Sequence, residues 1–378
     1  MQLGSRRTIV IGAAITTGWL VGVALARGQG GSDQKPLMAE DVFKNVQVLK
    51  GIPVNEFMGT MGIFSAALGM SCEDCHIASD RGWEVYAADT NPRKRTARRM
   101  VLMMAEINRA NFGGRQVVTC YTCHRASDRP VVTPNLSTLY AERPAEVPDI
   151  IAQAPAAPSV EHVLDNYIQA LGGAQRLAAL TSFIAVGTSV GYGPESDKRA
   201  FEVFAKAPDQ RITITHTLDG DSTTVYDGRI GWIAAPHRPL SLVAITGHEL
   251  DGLKLDADLS FPARIKEVLG QWRVGSSATI DDRDVHVVQG TGAGGAIATL
   301  YFDKASGLLV RQVRYARSPV GRIPTQIDYA DYRDVSGIKM PFRWTVIWLD
   351  GQDTVQLNEV RPNVSIDAAK FAKPAPAR

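Results

Sequence analysis

All four cysteines and two of the seven histidines fall into two short runs, Cys72-Glu73-Asp74-Cys75-His76 and Cys120-Tyr121-Thr122-Cys123-His124. Both read C-x-x-C-H, the pattern of covalent c-type haem attachment. Two thiols three positions apart can each add across one vinyl group of a haem, and the adjoining imidazole is then held beneath the iron as its proximal ligand. No cysteine remains for a disulfide framework. A zinc site built as Cys2His twice, a thioredoxin-like redox pair and two disulfides are the competing uses of these residues. An adjacent histidine in both copies is not something structural zinc knuckles require. The expectation is two covalently attached c-type haems, bound through Cys72, Cys75, Cys120 and Cys123, with His76 and His124 on the irons.

The elements that would position these motifs come just before them. Leu37 to Lys50 reads as a short helix with Val42, Phe43, Val46 and Leu49 on one stripe, ended by Gly51-Ile52-Pro53. Asn55 is placed to cap a second helix in which Phe57, Met58, Met61, Phe64, Ser65 and Leu68 share a face, closed by Gly69 three residues before Cys72. Met61 is the first choice as sixth ligand of that haem and Met58 the reserve; the plain alternative is that both fill core space. A third helix, Thr96 to Asn111, carries Ala97, Met100, Val101, Met104 and Ile107 on one stripe and leads through Gly113-Gly114 and Gln116-Val117-Val118 to Cys120. Met100, Met103 and Met104 all lie within reach of the second haem, and spacing does not choose among them. Arg93, Lys94, Arg95, Arg98 and Arg99 make either a solvated helix face or a source of one or two partners for haem propionates.

Three segments carry a resemblance that extends beyond the C-x-x-C-H pairs. These are Val48-Leu49-Lys50-Gly51-Ile52-Pro53 through Ser65-Ala66-Ala67-Leu68-Gly69; Thr96-Ala97-Arg98-Arg99-Met100 with Ile107-Asn108; and Val118-Thr119 through His124-Arg125. Over about 43–130 the chain resembles the cytochrome c subunit of photosynthetic reaction centres. That resemblance implies an axial methionine from the helix alongside each haem: Met61 for the haem on Cys72 and Cys75, and Met100 for the haem on Cys120 and Cys123. The family subunit carries four haems where this chain has two motifs. Residues 111–119 also lack the histidine that in the family ligates a haem of the missing half. A self-contained dihaem module is consistent with that loss.

The rest of the chain frames this module. At 378 residues, with 45% hydrophobic and 21% charged content, it is long enough for two domains and a leader, and its net charge of +2 speaks against nucleic-acid binding. Arg6 and Arg7 precede an uncharged run, Thr8 to Ala26, ending in Ala24-Leu25-Ala26; residues 1–26 read as a signal peptide or an N-terminal anchor. Residues 27–36 form a polar tether. The dihaem domain spans 37–143 and a Pro/Ala-rich linker spans 144–159, within a stretch that holds Pro130, Pro134, Pro144, Pro148, Pro155 and Pro158. Val160 to Gly172 reads as an amphipathic helix, and Ala174 to Leu180 as a second helical piece.

Beyond it the apolar period falls to two. Strands are expected at 183–190, 201–206, 211–217, 223–226, 230–234, 285–289, 298–302, 308–315, 325–332, 342–349 and 354–360, with turns at Asp227-Gly228, Lys304 to Gly307, Ser336-Gly337 and Asp350-Gly351. A helical segment, Phe261 to Leu269, interrupts them. The fold class expected is therefore multidomain: a mainly α dihaem cytochrome, then an α+β domain at 160–372 with a large curved antiparallel sheet around a helix, and a tail at 373–378. Ile327-Asp328-Tyr329 to Arg333 followed by Ile338-Lys339-Met340-Pro341 resembles the half-barrel of periplasmic lipoprotein carriers. His162, His216, His237, His248 and His286 show no metal-ligand spacing, and Gly290 to Gly295 joins two strands as a hairpin loop rather than a phosphate cradle.

The function these features point to is an extracytoplasmic relay of single electrons between redox partner proteins, fused to a binding or docking half-barrel. A dihaem peroxidase-like enzyme, and an apolar-ligand or lipoprotein carrier with an attached haem module, are the rival readings.

Overall fold

The amide of Gly51 donates to both carboxylate oxygens of Glu40 at 3.0 Å, and this clamp sets the start of the N-terminal helical segment. In the computed structural model of the chain, residues 35–77, 83–130, 132–134, 136, 149–191, 196–236, 238–292 and 295–376 are described. The leader over 1–26 and most of the tether lie outside them. The helix expected over 37–50 is only one turn, α1 (Ala39–Val42). Asn45 adopts a left-handed conformation with φ 65°, and Ala39 N–H donates to Ile52 O, so the chain folds back on itself instead of continuing as a helix.

Helix α2 (Val54–Leu68) follows Pro53 and closes on Gly69, whose φ of 63° gives a left-handed cap. Asn55 is not its cap. It is buried within the first turn and its side chain reaches across to the C-terminal half of the protein. Gly59, Gly62 and Ile63 turn toward the sheet: a Cβ at Gly59 would lie 2.7 Å from Ile323 Cδ1, and one at Gly62 3.5 Å from Leu349 Cβ. A 3-10 turn at Cys72–Asp74 and another at Trp83–Ala87 precede α3 (Pro92–Phe112), which begins four residues earlier than its apolar stripe suggested because Asn91 accepts from Arg93 N–H and Pro92 sits at the first helical position. The single turn α4 (Cys120–His124) is the second C-x-x-C-H motif itself.

The C-terminal half begins with α5 (Val160–Ala170), capped by Ser159, and α6 (Ala174–Ala179). Val163, Leu164, Tyr167, Ile168 and Leu171 are all buried, and each such side chain taken from water is worth roughly 1.5–3 kcal/mol. Fourteen strands then form one open antiparallel sheet. They are β1 (Ser182–Gly191), β2 (Lys198–Lys206), β3 (Gln210–Thr217), β4 (Gly220–Tyr226), β5 (Gly231–Ala234), β6 (Leu242–Ile245), β7 (Gly270–Val274), β8 (Ala278–Ile280), β9 (Arg283–Thr291), β10 (Ile297–Asp303), β11 (Leu309–Ser318), β12 (Gly321–Val335), β13 (Ile338–Trp348) and β14 (Gly351–Pro362). The first six step outward from β1 to one edge; the chain then crosses and returns from the other edge until β14 pairs with β1. Helix α7 (Gly247–Leu259) and the short α8 (Ile265–Val268) make the crossing. Tyr167, Leu164, Leu255, Phe261 and Ile265 pack with the sheet residues Phe183, Val203, Leu300 and Phe342 in one core.

The eleven expected strands are present, most of them longer, although Ile230, Leu308 and Leu349 fall just outside theirs, and the hairpin at Gly292 closes with Gly292 N–H donating to Ala296 O. Sequence reading missed β6, β7, β8 and α7. The three strands are short, and α7 carries Gly252 amid an irregular Leu250, Leu253, Leu255, Leu259 pattern. The stretch before Val160 is not a free spacer where it is described. Ile151 is buried among Ile280, Val285, Val287, Tyr301 and Val310, and Gln289 donates to Asp149 O while accepting from Ile151 N–H.

The N-terminal helical segment and the sheet form one compact body over Pro36–Arg378. Val320, at the tip of the β11–β12 hairpin, is fully buried against Leu49, Ile63, Ala67, Val101 and Met104. Gln116 donates to Ser318 O at 2.9 Å. On the far side Asn55 Nδ2 donates to Glu249 Oε2 at 2.9 Å and to Thr246 O at 3.2 Å, while Thr246 Oγ1 donates to Asn55 Oδ1. Burial raises the carboxyl pKa of both Glu56 and Glu249 above the ordinary 4.5. A carboxyl whose pKa is higher folded than unfolded favours the fold fully below the unfolded value, and that contribution is lost as pH rises through the folded value. Thermal unfolding should therefore move to lower temperature as pH rises from about 4.5 toward neutrality. Glu249→Gln should flatten that slope, whereas an unchanged slope in the variant would show that this contact is not the source.

Candidate functional site

Both haem motifs are built from the same local parts. Ser71 N–H and Oγ donate to Asp74 Oδ2 at 2.8 and 3.0 Å, and Thr119 N–H donates to Thr122 Oγ1 while Thr122 N–H donates back to Thr119 Oγ1. Each is a capping box wound around the first cysteine of its motif and the residue after it. The winding brings the cysteines three positions apart onto one side of a single turn.

The histidines match as well. His76 Nδ1 lies 3.0 Å from Tyr86 O, and His124 Nδ1 lies 2.9 Å from Ser127 O. A carbonyl oxygen can only accept, so each ring carries its proton on Nδ1 and leaves the Nε2 lone pair available, as a metal-ligating imidazole requires. The ring of His76 stacks on Tyr86 with centroids 4.5 Å apart and planes 16° from parallel. Burial lowers the pKa of His76. Lys94 Nζ donates to Tyr86 O and Ala88 O at 2.7 and 2.6 Å, tying the 83–88 turn to α3.

Beside the second motif lies a cavity of about 310 Å³. Cys75, Cys120, Cys123 and His124 border it together with Phe64, Leu68, Met100, Met103, Met104 and Ile107, and Arg93 and Arg129 stand among its lining residues. An apolar, methionine-rich slot that reaches thiols of both motifs fits a haem in its chemistry. Met104 is buried, whereas Met100 and Met103 are partly open to solvent, so the cavity gathers all three methionines and does not single out Met100. Met61 packs on the α2 side with Phe57 and Phe64, outside the cavity lining.

The rival uses of the cysteines fit less well. All four are unpaired. Burial pushes the thiols of Cys72, Cys75 and Cys120 above their ordinary pKa, the opposite of the activated low-pKa thiol of a redox pair. Among the described residues no three His, Cys, Asp or Glu side chains converge on a metal-sized site. His216 bonds Asp221 and His162 contacts Asn166, while His237 lies outside the described residues.

The cationic run divides into roles. Arg98 pairs with Asp89 at 2.8 Å and, with Asn45, holds that carboxyl well below the usual range. Arg93 Nη1 donates to Asp74 O at 3.0 Å and lines the cavity, while Arg95 and Arg99 are exposed. The propionate candidates drawn from this geometry are thus Arg93 and Arg129, in place of Arg98. Sequence reading also missed Asn108. Its side chain donates to Val118 O at 2.7 Å and accepts from Val117 and Val118 N–H at 3.0 and 2.9 Å, which holds the segment entering Cys120. A buried asparagine on an otherwise apolar helix face was the signal available.

Residues 24–146 match the family described as the photosynthetic reaction centre cytochrome C subunit. The cytochrome c subunit of the reaction centre from Thermochromatium tepidum is 34% identical over 100 residues, covering 24% of this chain and 22% of that relative, so the chain spans under a quarter of its length. The C-terminal half is similar in architecture to solved half-barrels. A DUF1329 family protein from Desulfovibrio piger is 12% identical, covering 57% of this chain and 98% of its own with a TM-score of 0.41. A LolA superfamily protein from Nitrosomonas europaea is 14% identical, covering 57% and 99% with a TM-score of 0.39.

Two positions set the geometry of the second motif. Gly69, with φ 63°, would place a Cβ 2.5 Å from the backbone oxygen of Ala126, whose N–H donates to Ala67 O. Gly69→Ala should cost about 1–3 kcal/mol, and Asn108→Ala about 2–4 kcal/mol through its lost buried hydrogen bonds. Denaturant unfolding measures both. A loss below about 0.5 kcal/mol for Asn108→Ala would remove it from this role.

Proposed function

We propose that the protein is an exported dihaem c-type cytochrome that relays single electrons between redox partners, with the half-barrel as the body on which the haem segment is mounted. The observation that carries this is the shared state of His76 and His124: each follows a C-x-x-C pair and gives its Nδ1 proton to a main-chain carbonyl. Bound haem supplies the one-electron ferric/ferrous chemistry. The chain's own residues do the rest. Tyr86 and Ser127 fix the imidazole tautomers, Phe64, Leu68 and Ile107 keep water from the second slot, and Arg93 and Arg129 bring positive charge to its edge. Met61 on α2 and Met100 on α3 would supply thioether sulfur to the two haems, with Met103 and Met104 beside Met100 in the second slot. The match of residues 24–146 to a cytochrome c family supports haem electron transfer. The concave side of the sheet is filled by α5, α7 and the 261–265 segment, which supports a docking scaffold over an apolar-ligand carrier.

Mass spectrometry of the mature protein should report two added haems and the N-terminus together. Cys72→Ala/Cys75→Ala and Cys120→Ala/Cys123→Ala should each retain one; loss of both haems from either, in a chain that still folds, would overturn the assignment of one haem to each motif. Met61→Ala and Met100→Ala should each abolish a sulfur-to-iron charge-transfer band and lower one potential; an unchanged spectrum would move the ligand to Met58 or to Met103 and Met104.

Arg93→Gln and Arg129→Gln should lower a haem potential, because a cation near the iron favours the reduced state, which carries one more negative charge. Arg98→Gln should leave both potentials in place, since its guanidinium is committed to Asp89. Redox titration separates these outcomes.

A further inference from the structure

Residues 90–130 carry nine Lys and Arg against two Asp and Glu, in a chain whose net charge is only +2. The remainder is therefore acidic overall, and the positive excess is confined to α3, α4 and the loops beside them. Part of it is spent internally, on Asp89 by Lys94 and Arg98 and on Asp74 by Arg93. Arg95 and Arg99 are not. They lie four residues apart on α3, one turn of helix, and both are exposed. Arg99 bonds only Thr96 Oγ1 among the described residues, at 3.4 Å. Leu102 follows on the same face, 60% exposed, and Arg109 continues it beside Glu106. Met103, four residues after Arg99, opens from this helix into the cavity at the second motif, and Tyr121, inside that motif, is 57% exposed.

An exposed leucine and tyrosine beside unpaired guanidinium groups, next to a cofactor slot, have the make-up of a docking patch: apolar contact at the centre, charge at the rim for steering. We propose that the outward face of α3, centred on Arg95, Arg99 and Leu102, docks an acidic redox protein against the second motif. This rests on the electron-relay reading above and adds to it the sign of the partner. Propionate pairing does not account for the face, because Arg95 and Arg99 are absent from the cavity lining that holds Arg93 and Arg129.

The test uses the full holoprotein and a redox-inert acidic probe, cadmium-substituted plant plastocyanin, with basic horse cytochrome c as the opposite-sign control. Binding is read by calorimetry at about 0.02 M and about 0.3 M ionic strength, where screening differs severalfold. The acidic probe should bind at low salt and weaken at least about tenfold at high salt, and the basic probe should bind more weakly. Arg95→Glu/Arg99→Glu should abolish binding of the acidic probe, while Arg95→Lys/Arg99→Lys retains most of it. Haem content and potentials of both variants should match the parent. Equal binding of the two probes, or binding of the acidic probe that survives charge reversal, would overturn the proposal. Since binding is read without electron transfer, a chain that lacks haem yet binds the acidic probe would sink the relay reading alone, and a haem-loaded chain indifferent to it would sink the docking face alone.

Discussion

The cytochrome segment cannot close its own core, and most of its geometry follows from that. Its buried apolar side chains are few: Leu49, Ile63, Ala67, Val101 and Met104, completed by Val320 from the tip of a hairpin in the C-terminal sheet. Two helices and a few turns bury little between themselves, so the faces of α2 and α3 that carry Ile63, Ala67 and Val101 need a partner. The β11–β12 hairpin supplies it. Gly59 and Gly62 on α2 let the helix approach Ile323 and Leu349 closely, because a side chain at Gly59 would strike Ile323. Docking is thus a packing requirement, and the buried Asn55–Glu249 contact fixes its register on the other side.

That docking carries through to the chemistry. The loop after the second motif is tied to the end of α2 by Ala126 N–H to Ala67 O, and Gly69 leaves room for the Ala126 carbonyl. The segment before the motif is held by Asn108 from α3 and by Gln116 from its own side onto Ser318. Cys120 therefore sits where α2, α3 and the sheet meet. The first motif is organised differently: its histidine is oriented by Tyr86, and Tyr86 is held in turn by Lys94 of α3. One cationic run near the start of α3 thereby braces the loop over His76 and lines the slot at His124. The two C-x-x-C-H motifs thus share α3 as a neighbour.

The chemistry and much of the architecture were readable in the residues themselves. C-x-x-C-H motifs are local, since spacing along one turn suffices to aim both thiols, and Ser71-x-x-Asp74 and Thr119-x-x-Thr122 are local caps. The long strands and their tight turns follow from period-two burial and Gly-containing turns, and α5 from its apolar stripe. The errors fall where distant contacts override local preference. The 37–50 stretch has a helical stripe, yet the Glu40 clamp on Gly51 and the left-handed Asn45 turn it back. Asn55 looks like a cap and acts as a bridge.

The sequence by itself determined what the protein can hold: four thiols and two imidazoles in two covalent attachment patterns, methionines upstream of each, and a sheet large enough to need a filling helix. Only the tertiary structure decided which cations face the slot, that the haem segment lies against the half-barrel, and that both imidazoles carry their protons on Nδ1. Motif chemistry is written within a few residues along the chain, whereas charge placement, tautomer and docking depend on groups brought together from residues tens to hundreds of positions apart.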